Sequence, residues 1–236
     1  MGDRLIARAD SPGSATADQA ACDKLEQLSI NFAAKFPGVP EVTATELHRW
    51  MQQEEEAAAA GPDSCALLVL DIRTPEEQQV SVLPGPWTLT QAEFERRGPE
   101  AFRGRRIVCY CTVGLRSGMY AAALRRRHGL DARNLRGSIL AWTQAGLPLV
   151  DPKDGAPTRR VHVYSRQFEL QGSAYVPVMF RQPLLSLALD FVRGWWRRLA
   201  GRLGWLLPGW SRGRGGGPAD AGVGVGADHV DESKGR

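Results

Sequence analysis

Two short stretches of this chain are apolar at every position, where a strand with one wet face would be apolar only at alternate ones. They are ALLVL, residues 66–70, and the IVCYC that ends RRIVCYC at Cys111. Unbroken runs of this length, bounded by turn residues, predict strands buried on both faces of a parallel sheet. Helix signals follow each run. After ALLVLDIR, Thr74 stands as an N-cap, Pro75 at the first helical position and Glu77 three residues past the cap, which together make a capping box. After RRIVCYC comes a turn containing Gly114, then SGMYAAALRRRH, which predicts a helix opening at Ser117. RNLR reads as a short strand, LTQAEFERR as a helix, and SILAWTQAG as another helix closed by Gly146. Strands alternating with helices predict an α/β domain with a mainly parallel sheet. Its ligand site belongs at the carboxyl ends of the strands, where Cys111 falls.

With 236 residues, 43% of them apolar, the chain can bury one sizeable core and carry extensions. Residues 1–16 read as disordered. TADQAACDKLEQLSINFAAKF reads as a helix packed outside the main core, so that 1–39 form an N-terminal extension. TELHRWMQQEEEAAAA is helical by propensity and carries Leu47, Trp50 and Met51 on one side. The main domain is expected over 40–152 and an extension of it over 153–180, which contains the alternating RRVHVYSRQF. Residues 181–210 hold an amphipathic segment, and 211–236 are too rich in Gly and polar residues to pack.

Four cysteines, at 22, 65, 109 and 111, are too unevenly spread for a disulfide framework. The histidines at 48, 128, 162 and 229 show no ligand spacing, so no metal is expected. The N-terminus has no apolar core of signal-peptide length, and Ile6 occupies the position where myristoylation requires Ser or Thr. A reducing, cytoplasmic location is the expectation. The net charge of +4 gathers in local arginine clusters. Arg125, Arg126, Arg127 and His128 fall in the last turn of their helix, where positive charge complements the dipole. No aromatic interleaving or basic face accompanies them, so nucleic acid is not expected as a partner.

CYCTVGLRS, residues 109–117, is where chemistry is expected. A loop joining a strand to a helix N-terminus turns several backbone N–H groups inward, and the helix dipole adds partial positive charge. A cysteine in that field titrates low and is nucleophilic without a histidine base. Arg116 adds a full charge at the rim, Ser117 is placed to cap the helix, and Gly114 permits the tight loop. Cys109, two residues earlier on the strand, is expected to share the face of Cys111 and to be buried. Cys22 and Cys65 read as structural or incidental, and Trp142 as core.

Three elements in order resemble the rhodanese sulfurtransferase family. Cys111-Thr112-Val113-Gly114-Leu115-Arg116-Ser117 is similar to its catalytic loop. Asp71-Ile72-Arg73 resembles its D-x-R element, and the stretch from Leu135 through Gly137, Trp142 and Gly146 to Pro148 resembles its closing motif. The resemblance spans roughly residues 40–152. It implies a five-stranded parallel sheet with helices on both faces and a Cys111 that accepts sulfane sulfur as a persulfide. Thiosulfate would be a donor, and cyanide, a thiol or a protein cysteine an acceptor. The amides of residues 112–117 would hold the sulfur or the sulfite leaving group with help from Arg116, without a cofactor. Asp71 and Arg73 would support the loop. Two positions depart from the family pattern: Val82 stands where the family has His, and Ser138 where it has a second Gly, a change expected to matter only for the turn. Related phosphatases on this fold place five residues between Cys and Arg. Here there are four, Thr112 to Leu115, which favours sulfur over a phosphoryl group. A non-enzymatic sulfur-carrier or partner-binding module is the alternative, with phosphatase or arsenate reductase activity behind it.

In QPLLSLALDFVRGWWRRLAGRLGWLLPGW, Leu184, Leu185, Leu189, Trp195, Trp196, Leu199, Leu203 and Leu206 fall in one helical arc, with Ser186, Asp190, Arg193 and Arg197 opposite. Arginines rule against a spanning helix, and four tryptophans beside them suit a helix lying in a membrane interface through residues 183–207. Docking on the catalytic domain or on a protein partner is the competing expectation.

Overall fold

The computed structural model describes residues 12–60 and 66–180. The chain divides into two units, Met1–Leu185 and Ser186–Arg236, and every described residue belongs to the first. The expected amphipathic helix over 183–207 and the tail over 211–236 lie outside the described residues, as do Cys65 and His229.

Five strands form one parallel sheet in the order β1-β5-β4-β2-β3. They are β1 (Glu41–Val42), β2 (Leu67–Asp71), β3 (Thr88–Thr90), β4 (Arg106–Tyr110) and β5 (Asp131–Leu135). The two apolar runs are β2 and β4, paired at the centre, and their alternation explains why neither shows a polar face. Leu67, Val69, Val108 and Tyr110 enter one hydrophobic cluster, while Leu68, Leu70, Ile107 and Cys109 enter the other. Both faces are dry, so both parities must be apolar.

Helices cover the two faces. One cluster takes Leu25 from α1 (Pro12–Ala33), Leu47 and Met51 from α2 (Ala44–Ala60), and Ile139, Leu140 and Trp142 from α6 (Ser138–Gln144). The other takes Phe94 from α4 (Gln91–Arg97) and Ala121 and Leu124 from α5 (Leu115–His128). The capping box read at Thr74 starts α3 (Pro75–Gln78), with both of its hydrogen bonds present. A second one, Thr90 with Glu93, starts α4. Trp142 is fully buried, and its indole N–H donates to the Pro148 carbonyl at 2.8 Å.

Three expectations need correction. The first helix opens at Pro12, inside the stretch read as disordered, because proline at a first helical turn loses no hydrogen bond. That helix does not lie outside the core: Leu25 is 2% exposed and packed in the larger cluster. Helix α5 begins at Leu115 with Gly114 as its N-cap. Ser117 is therefore inside the first turn, where its hydroxyl is free to bond elsewhere.

Residues 149–180 fold back on the same core. Strands β6 (Leu149–Val150) and β7 (Pro157–Thr158) pair antiparallel, and β8 (Arg160–His162) and β9 (Val176–Val178) pair parallel. Val161, Val163, Leu170 and Tyr175 join the larger cluster. Val82, the position that departs from the family His, exchanges both backbone hydrogen bonds with Val150 at 3.0 Å. Among the described residues, no helix is long and apolar enough to cross a membrane.

Because α1 supplies core packing, Leu25→Ala should lower unfolding stability by about 2–4 kcal/mol. Urea denaturation followed by tryptophan fluorescence measures this. An unchanged midpoint would mean that the helix is dispensable.

Candidate active site

Cys111 is the first residue past β4 and is 1% exposed. The chain must turn sharply to enter α5, and Gly114 makes the turn at φ +103°, a conformation that residues with a Cβ adopt at a cost. The turn brings the Gly114 N–H to 3.2 Å from Cys111 Sγ, and Ser117 Oγ lies 3.4 Å from the same sulfur. Ser117 Oγ also lies 2.7 Å from Asn134 Oδ1 on β5, which ties the first turn of α5 to the neighbouring strand.

Helix α6 clamps the loop from the other side. Its first free N–H groups are satisfied by loop carbonyls: Ile139 donates to Cys111 O at 3.2 Å and Leu140 to Thr112 O at 3.3 Å. Ser138 holds φ +52°, and an L-residue in that region carries strain of about 1–2 kcal/mol. Its hydroxyl accepts the Cys111 N–H at 3.0 Å and approaches Sγ at 3.8 Å. The expectation that Ser138 matters only for the turn is therefore wrong. The backbone explains why glycine suits the position, and the hydroxyl makes a contact that glycine cannot.

Arg116 does not stand free at the rim. Its Nη1 and Nη2 donate to the two oxygens of Glu77 at 2.7 Å each, and Nη2 reaches Thr112 Oγ1 at 3.2 Å. Glu77, the residue that completes the cap of α3, also accepts from Thr112 Oγ1 at 3.2 Å and from the Thr74 N–H at 2.8 Å. His162 Nδ1 on β8 lies 3.1 Å from its Oε1. Burial alone would raise the Glu77 pKa, but the His162 and Arg116 contacts hold it well below the usual carboxylate range. Asn134 and His162 are not singled out by sequence as site residues. Glu77 and Ser138 each carried a signal, a capping box and a departure from a glycine, but those signals spoke of helix initiation and of a turn.

Asp71 and Arg73 pair with one another at 2.6 Å, fully buried. Tyr110 Oη donates to Asp71 at 2.6 Å and accepts the Leu83 N–H at 3.4 Å, and Arg73 Nη2 donates to the Ser81 carbonyl at 2.7 Å. These bonds anchor the end of β4, one residue before the thiol, rather than the loop itself. Cys109 points into the cluster beneath α4 and α5, where burial first, and then the neighbouring Cys111, push its thiol pKa up. Among the described residues, no group of His, Cys, Asp and Glu is placed to hold a metal. A cleft of about 310 Å³ beside α1, lined by Cys22, Glu26, Ser29 and Arg136 among others, includes no residue of the 111–117 loop.

The thiol itself is shifted downward from its ordinary value of 9.0. Burial opposes the shift, and the Arg116 charge, the Ser117 hydroxyl and the N–H groups of Ser117 and Gly114 outweigh it. Four donors or charges acting on one sulfur favour the thiolate, the form that attacks electrophiles.

A parallel α/β domain with a cysteine at a strand-to-helix turn, its thiol shifted toward thiolate, defines the class. Residues 43–145 match the rhodanese-like domain family. A sulfurtransferase of Allochromatium vinosum is 36% identical over 91 residues, which span 39% of this chain and 85% of that protein. The chain belongs to the rhodanese-like family. Among solved structures it is similar to a thiosulfate sulfurtransferase from Pseudomonas aeruginosa, 21% identical with a TM-score of 0.38, over 49% of this chain and 20% of that one. It is also similar to a rhodanese-like domain protein from Staphylococcus aureus, 21% identical with a TM-score of 0.34, over 44% of this chain and 91% of that one.

The sign of the Cys111 shift gives a direct check. The rate of Cys111 alkylation by iodoacetamide against pH should show a midpoint below 9.0, and Arg116→Gln should move it upward by removing the favourable charge. An Arg116→Gln midpoint at or below that of the wild type would show that the guanidinium does not act on the sulfur.

Proposed function

We propose that this protein is a sulfurtransferase that carries sulfane sulfur as a persulfide on Cys111. The observation that supports it most is the thiol held by the Gly114 N–H and the Ser117 hydroxyl in a loop of four residues between Cys111 and Arg116. In the first half-reaction the thiolate attacks the outer sulfur of a donor such as thiosulfate. A new S–S bond forms, the donor's own S–S bond breaks, and sulfite leaves with the electron pair. N–H groups of residues 112–117 and the Arg116 charge are the groups available to stabilise the departing anion. In the second half-reaction a thiolate, a protein cysteine or cyanide attacks the outer persulfide sulfur, and Cys111 leaves as thiolate. The cycle balances without a cofactor.

A non-enzymatic sulfur-carrier or partner-binding role is the second reading, favoured by the deep burial of Cys111 and by the engagement of Arg116 with Glu77. Phosphatase or arsenate reductase activity has less support, since the loop is one residue shorter than those chemistries use. For location, we propose the cytoplasm with peripheral attachment to a membrane surface through residues 183–207, a reading that rests on the sequence pattern alone.

Incubation with thiosulfate, removal of the excess and peptide mass spectrometry should find one added sulfur on Cys111, discharged by cyanide. Cys111→Ser should lose all of it while keeping the far-ultraviolet circular dichroism of the wild type. A wild-type protein that gains no sulfur and resists alkylation at neutral pH would sink the enzymatic reading in favour of the carrier or binding module.

For the tail, co-sedimentation of the full chain with vesicles containing anionic lipid should fall several-fold on Trp195→Ala with Trp196→Ala, because each buried indole contributes apolar area at the interface. Equal sedimentation of the variant and the parent, or none with either, would refute membrane attachment by this segment.

A further inference from the structure

The family match ends at residue 145, yet a side chain from beyond it returns to Glu77, the partner of Arg116. His162 on β8 is 2% exposed, and its Nδ1 lies 3.1 Å from Glu77 Oε1. The ring stacks on Phe180, with centroids 4.5 Å apart and planes 25° apart, and meets Tyr164 edge-on at 6.4 Å. Despite the short approach, Nδ1 makes no well-aligned hydrogen bond.

Nearby as it is, and already favouring the Glu77 carboxylate, that nitrogen is not the partner that fills its acceptor sites. The carboxylate already accepts from both Arg116 nitrogens, from Thr112 Oγ1 and from the Thr74 N–H, which fills the roughly four lone-pair sites a carboxylate offers. The need for that nitrogen arises when Arg116 moves. Arg116 is the charged side chain whose field favours the Cys111 thiolate, and its side chain keeps 25% exposure, against 4% for Glu77. An anionic donor entering the loop competes with Glu77 for the guanidinium. Giving Arg116 up would strand a buried carboxylate, and breaking a buried pair from one side is strongly unfavourable.

We propose that His162 is a positioning residue that takes over Glu77 when Arg116 turns toward an anionic sulfur donor. It thereby lowers the cost of freeing Arg116 and tunes the site toward anionic donors such as thiosulfate over neutral ones. In the resting arrangement His162 stands off-line and Arg116 is bidentate on Glu77. With an anion in the loop, the Nδ1–H aligns on Oε1 and Arg116 pairs with the anion. The inference rests on Cys111 being the reactive thiol of the proposed function.

The test compares an anionic with a neutral alkylating agent on the full-length protein, which needs no sulfur transfer to report. Rates at Cys111 are measured by peptide mass spectrometry with iodoacetate and with iodoacetamide. In His162→Phe, which keeps a ring against Phe180 but removes the donor, the iodoacetate-to-iodoacetamide ratio should fall about fivefold or more, the scale of an ordinary coupling between two groups. His162→Asn places an amide N–H where the ring Nδ1 stands, and its ratio should stay within about twofold of the wild type, as a preserved hydrogen-bond donor predicts. An unchanged ratio in His162→Phe overturns the proposal, as does an equal fall in His162→Asn, which would assign the effect to ring volume.

If His162→Phe does not fold, 15N imidazole spectra of the wild-type protein decide. Carboxymethylation of Cys111 should shift His162 Nδ1 and carbamidomethylation should not, and equal shifts overturn the proposal. Failure of thiosulfate to load Cys111 would remove the sulfurtransferase reading while leaving the alkylation ratio to stand or fall separately.

Discussion

A carboxylate taken out of water must be paired, and Glu77 is the buried carboxylate around which this site is assembled. One side of it finishes the cap of α3 through the Thr74 N–H. Another holds Arg116 by both oxygens and Thr112 by its hydroxyl, which fixes the two ends of the cysteine loop. A third faces His162 on β8. Three segments far apart in the chain therefore converge because none of them can leave that charge alone. The consequence for chemistry is that Arg116 is shared: its charge reaches Cys111, but its hydrogen bonds belong to Glu77 until something competes for them.

The loop itself is held by backbone arithmetic. Loop carbonyls that would otherwise lack partners accept from the start of α6, and N–H groups of that helix that would lack acceptors find them in the loop. Ser138 sits at the junction in a left-handed conformation, and its hydroxyl oxygen accepts the Cys111 N–H. The sulfur, left facing Gly114 and Ser117, becomes the natural resting place for negative charge. Beneath it, the Asp71–Arg73 pair and Tyr110 stiffen the end of β4, so that the thiol starts from a fixed point.

Much of this was legible beforehand, and unevenly so. The apolar runs at 66–70 and 107–111 identified both central strands, because strands dry on two faces leave a continuous signature. The Thr74-Pro75-Glu77 cap was read correctly for the same reason: every atom involved lies within one helical turn. The short β3, Thr88–Thr90, gave no such signal, since none of its three residues is fully buried. The start of α5 was misplaced at Ser117 because a serine near a helix start resembles a cap. Here the backbone turned earlier, at Gly114, and left the hydroxyl to the sulfur and Asn134.

The sequence by itself determined the alternation of strands and helices, the turn that presents Cys111 and the spacing to Arg116, since each depends on neighbours a few residues apart. Only the tertiary structure decided what Arg116 is bonded to, that Ser138 touches the thiol's own amide, and that His162 belongs to the site. Those pairings join α3, α5, α6 and β8 across large sequence separations. Nothing in local propensity records them, because a charged or polar side chain looks the same in a sequence whether it faces water or a buried partner. Folding supplies the difference by removing the water, after which each buried charge must find its partner within a few ångströms.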